Sequence, residues 1–113
     1  MSGSVTDLMV EVALESLLDG SDVKIAQLVR TLATRWPSEP ALSIAFALTT
    51  AASAIEDMVD TAVDSPGIVL AAYRLAALVS ADVYAIEAMG ILPARGHDLL
   101  IFWRRVDPYF LRL

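Results

Sequence analysis

The residues best equipped for chemistry are carboxylates gathered near the middle of the chain. Glu56, Asp57, Asp60 and Asp64 fall close together, and Glu56, Asp60 and Asp64 recur every fourth residue, the spacing that puts side chains on one face of a helix. Oxygen ligands suit hard divalent cations, so Glu56, Asp57 and Asp60 can be read as an oxygen-only Mg²⁺ or Mn²⁺ site. They can equally be read as a solvated or salt-bridged face. Acids near a helix C-terminus oppose the macrodipole and need compensation. Arg74 or the arginines of the tail can supply that compensation without a metal. The Glu-x-x-His steps that mark ferritin-like di-iron bundles are missing.

Other chemistries find less support. His97 is the only histidine, and no nucleophile elbow or oxyanion turn lies near it. Its place after Gly96, at a loop-to-helix junction, suits a capping or surface residue. The chain has no cysteine, which excludes disulfides, thiolate metal sites and cysteine nucleophiles. Its five glycines form no phosphate-cradling loop. No cofactor is implied, and no motif identifies an enzyme.

Composition turns attention from catalysis to association. Apolar residues make up 57% of the 113 and charged residues 19%, against roughly 45–50% and about 25% in ordinary globular chains. A domain of this size buries about two-thirds of its unfolded surface, which leaves little interior for the excess. Burial against a second copy is the simplest outlet, so a homo-oligomer is expected. A net charge of −6 argues against nucleic acid, whose phosphates demand a basic face. The charge is also uneven. Residues 1–64 hold ten acids and three bases, whereas 65–113 hold four acids and five bases. The acidic half can receive the basic tail or a basic protein partner.

A membrane reading is disfavoured. The uncharged run from Pro40 to Ile55 would span about 24 Å as a helix, short of the roughly 30 Å hydrocarbon layer. Gly67 to Ile86 is long enough but carries Arg74 and Asp82, which are costly at the centre of a bilayer. Asp7 and Glu11 stand where a signal peptide would carry bases. The chain therefore reads as cytoplasmic.

The elements that must position these residues are all helices. Breakers and caps at Asp19-Gly20-Ser21, Trp36-Pro37-Ser38-Glu39-Pro40, Asp64-Ser65-Pro66-Gly67 and Gly90-Ile91-Leu92-Pro93 divide the chain. No strand-like alternation bounded by hairpin turns occurs. Helix 1 is expected from Val5 to Leu18, with Asp7, Glu11, Glu15 and Asp19 on one stripe. Helix 2 follows from a Ser21 cap to Trp36, with Ile25, Leu28, Val29, Leu32 and Trp36 inward. Helix 3 is expected from Pro40 to Val63, its alanines allowing close approach of a neighbour. Helix 4 is expected to start after Ser65, with Pro66 in its first turn, and to reach Met89, apolar almost all round and so expected at the centre. Asp98 opens a short apolar, aromatic helix in the tail, and Asp107 caps a last turn with Tyr109 and Phe110.

The expected fold is thus all-α: a single-domain bundle of four long helices plus a short C-terminal helical tail, the tail packed on the body. If helix 4 folds back antiparallel to helix 3, Arg74 comes level with Asp57 and Asp60 and should bond to one of them, or to Glu56. Three functions remain in view. The first is a non-catalytic interaction or assembly module. The second is a small-ligand carrier or sensor, its pocket between helices 3 and 4, lined by Tyr73 or Tyr84 and gated by Arg74. The third is a metal-dependent hydrolase using the helix 3 carboxylates.

Overall fold

A computed structural model of the chain describes residues 4–58 and 65–113. Five α-helices and a final 3₁₀ turn follow one another: α1 (Val5–Asp19), α2 (Asp22–Arg35), α3 (Leu42–Glu56), α4 (Ser65–Ala88), α5 (Gly96–Arg105) and the turn Tyr109–Leu111. The fold is all-α. The molecule measures 45 × 36 × 19 Å. Its thin dimension is that of a slab two helices deep, since packed helix axes lie about 8–10 Å apart.

Local chemistry sets the helix ends. Ser4 and Asp7 form a reciprocal capping box at the start of α1, with Ser4 N to Asp7 Oδ2 at 3.1 Å and Asp7 N to Ser4 Oγ at 3.2 Å. Gly20, at φ +75°, ends α1 in the left-handed conformation that glycine adopts without a Cβ penalty. Ser21 then caps α2 by accepting from Lys24 N. The two helices are joined by a two-residue turn and lie side by side.

α3 is the most enclosed element. Ile44, Ala45, Ala47, Leu48, Ala51, Ala52 and Ile55 are buried, and α1 and α4 pack along it. The alanines explain the packing, because a ridge of small side chains lets neighbouring helices come close. α4, expected at the centre, touches all four other α-helices but leaves one side exposed. Val69, Ala72, Leu75, Ala76, Val79, Val83 and Ile86 face inward, while Leu70, Arg74, Ala77, Leu78, Ala81, Tyr84 and Ala88 face out. Within one chain the inward side of α4 is covered mainly by α3, with smaller contacts to α5, α2 and α1.

The tail packs on the body. Leu99, Phe102, Trp103 and Phe110 are buried, with Trp103 fully inaccessible. The Trp103 and Phe110 rings stack at a tilt, 5.0 Å between centroids. Burying an aromatic side chain of this kind is worth about 3 kcal/mol or more. α5 begins at Gly96, two residues before the expected Asp98. Asp98 is in fact the third helical residue, and its Oδ2 reaches back to Arg95 N at 2.8 Å. Asp107 does tie down the last turn, its Oδ1 accepting from Tyr109 N at 3.2 Å.

Two loops lock the ends of the bundle. Pro40 and Arg95 form an isolated antiparallel bridge. Ala41 N donates to Ala94 O at 2.8 Å and Gly96 N to Glu39 O at 3.0 Å. His97 N donates to Pro37 O at 2.9 Å, and Arg95 Nη1 to Ser38 O at 2.8 Å. This pairing takes Pro40 and Ala41 out of the helix, so α3 starts at Leu42 and not at Pro40. The expected continuation of α3 to Val63 lies outside the described residues.

Candidate functional site

The end of α3 meets the third turn of α4. Tyr73 donates its hydroxyl to Glu56 Oε1 at 2.7 Å. That bond holds the phenol proton and raises the Tyr73 pKa; partial burial and the negative charges of Glu56 and Asp57 push the same way. Two of the expected site residues, Glu56 and Tyr73, are thus brought together. Asp57 is exposed beside them, and Asp60 lies outside the described residues. Among the described residues, no three carboxylates or histidines converge as a metal site would require.

Arg74 does not join Glu56 or Asp57. Among the described residues the ion pair is Lys24–Asp19 at 3.5 Å, and His97 Nε2 lies 3.4 Å from Asp98 Oδ1. Within one chain, the expected bond to Asp57 or Glu56 is not formed. Successive helical residues turn by about 100°, so with Tyr73 on the acids Arg74 faces away from them. The Arg74–Asp60 alternative falls outside the described residues.

Arg74 instead borders a groove of about 650 Å³. It runs between the C-terminus of α1, the N-terminal half of α2, α4 and the end of the chain. Leu18, Ile25, Ile68, Leu75, Leu78 and Leu113 give it an aliphatic lining, with Arg74, Asp22 and Tyr109 as its polar groups. This groove does not lie between α3 and α4, where the sequence reading expected a pocket. Neither Tyr73 nor Tyr84 lines the groove. Tyr84 stands on the outer face of α4, 77% exposed.

No family model, curated protein or solved structure matches this chain. Function must be argued from its own surfaces.

One polar contact escaped the sequence reading. Trp103 Nε1 donates to Asp82 Oδ2 at 2.9 Å, across the α4–α5 contact. Burial raises the Asp82 pKa, the indole bond opposes that rise, and the negative charge of Asp107 adds to it. The signal was available. A buried indole N–H needs an acceptor, and Asp82 is one of only two charges in the apolar stretch of α4. This pair anchors α5 to α4.

Two outward surfaces remain. Along α4, Leu70, Arg74, Ala77, Ala81, Tyr84 and Ala88 form one exposed stripe without a carboxylate. Gly67–Ala88 is long and apolar enough to cross a membrane by length and composition, with mean hydropathy 1.5 and 33% of its most apolar stretch buried. Its place in this fold is a bundle helix packed on α3 and tied to α5 through Asp82. At the junction of α4 and α5, Met89, Ile91, Ile101 and Val106 surround a small depression beside Arg105, with Leu92 also exposed.

Proposed function

We propose that the protein is a non-catalytic helical assembly module that works in the cytoplasm as a homo-oligomer. The observation that carries this reading is the outer stripe of α4. Leu70 is 53% exposed and Tyr84 77%, and Ala77, Ala81 and Ala88 between and beyond them are exposed too. Scattered surface hydrophobics need no explanation, but a run of exposed apolar positions along one helix face, broken only by Arg74, suits an interaction site. The apolar junction of α4 and α5 offers a second such surface. The acidic side of α1, with Asp7, Glu11, Glu15 and Asp19 exposed, is suited to a basic partner.

The groove beside Arg74 favours a second reading, a carrier or sensor for a small amphipathic molecule. About 650 Å³ lies within the range of ordinary ligand pockets, and an aliphatic lining with one arginine suits an apolar body bearing an acid. Native mass spectrometry of the protein from its own cells separates the two. The assembly reading predicts a species at twice the 12.1 kDa chain mass without an adduct. A 12.1 kDa species carrying a small-molecule adduct would replace it with the carrier reading.

A further inference from the structure

The outer stripe of α4 has a pattern that points to its occupant. Its residues are symmetric about the level of Val79: Leu70 and Ala88 are equidistant from it, as are Arg74 and Tyr84, and Ala77 and Ala81. We infer that α4 pairs antiparallel with α4 of a second copy, the two-fold axis passing at the level of Val79. The inference rests on the homo-oligomeric reading above and specifies its interface.

In that register each residue meets a chemically suited one. Leu70, a large exposed side chain, faces Ala88 of the second copy, where an alanine leaves room for it. Ala77 faces Ala81, and this small pair at the axis lets the two helices approach closely. Arg74 comes level with the ring of Tyr84, and a guanidinium over an aromatic face is attractive. No like charges meet, because the stripe contains no other charge. An isologous contact requires such self-complementarity, and a parallel pairing lacks it: there Arg74 would meet Arg74 and Tyr84 would meet Tyr84. The stripe spans about 27 Å at 1.5 Å per residue. A contact one helix wide sits at the small end of specific interfaces, about 1,200 Å² or less in total.

The chain has no native cysteine, so introduced thiols report the register cleanly. Leu70→Cys and Ala88→Cys are prepared separately and oxidised alone and mixed. Within an antiparallel pair, two copies of either residue lie about 27 Å apart, far beyond the reach of a disulfide. The mixture should give a disulfide-linked heterodimer, and neither variant alone should cross-link. As an independent arm, Ala77→Glu places a charge at the axis and should weaken the dimer at least tenfold, with helix content and melting temperature of the monomer unchanged. A dimer in solution that gives no mixed cross-link and ignores Ala77→Glu overturns this interface while leaving assembly through another face. A chain that stays monomeric overturns both.

Discussion

Gly96 sits where the backbone leaves no room for a side chain. An added Cβ would sit 2.7 Å from Trp36 O, 3.0 Å from Pro37 Cα and 3.2 Å from Ala33 O. All three are backbone atoms, so no side chain can swing aside. Gly96→Ala must therefore push the start of α5 away from the end of α2. That movement strains the bonds from Gly96 N to Glu39 O at 3.0 Å and from His97 N to Pro37 O at 2.9 Å. Overpacking of this kind costs about 1–3 kcal/mol, and one weakened hydrogen bond adds about 1 kcal/mol. The expected total is about 3 kcal/mol. At about 4 °C per kcal/mol for a domain near this size, the melting temperature should drop by about 12 °C. Circular dichroism at 222 nm during heating measures it. A Gly96→Ala protein melting within about 1 °C of the parent would refute the close approach of α2 and α5, and with it the docking of the tail.

Asp82 and Trp103 give a prediction with a pH signature. The folded-state pKa of Asp82 is raised, so the folded chain holds that proton more tightly than the unfolded one, and this contribution to stability is lost as pH rises from the ordinary carboxylate value through the raised one. Asp82→Asn keeps an acceptor for the indole and removes the charge, so denaturant titrations should show its stability relative to the parent improving from pH 4 to pH 7; a flat difference would contradict the burial of the carboxylate. Asp82→Leu leaves the indole N–H without its acceptor and should cost about 1–3 kcal/mol at any pH. Phe110→Ala removes a buried ring stacked on Trp103 and should cost about 3–5 kcal/mol, while a chain ending at Asp98 should aggregate or fail to fold; an unchanged melting temperature and solubility for either would show that the tail is dispensable.

The sequence made the helices legible because their ends are marked chemically. Ser4, Gly20 and Ser21 sit where capping rules place them, and the inward face of α2 follows its apolar period through Leu28, Val29 and Leu32. Tertiary pairing was less visible. Pro40 reads as a helix start until Arg95 bonds beside it, a partner distant in sequence. α4 reads as central because all its faces are apolar, yet hydrophobicity states that a face must be covered and not by what. At the end of α3, Glu56 takes its bond from Tyr73, the residue before Arg74. Nothing local distinguishes Tyr73 from Arg74 as the partner of Glu56, and only the rotation of α4 against the alanines of α3 decides it. The groove was hidden for the same reason, since it is assembled from α1, α2, α4 and the last residues of the chain.

The central claim is that the apolar outer surface exists to be covered by another copy. Multi-angle light scattering of the purified chain at about 50 µM, followed through dilution, tests it most directly. The account predicts a mass of twice 12.1 kDa that falls toward the single-chain value on dilution. A constant mass of 12.1 kDa across that series would contradict it.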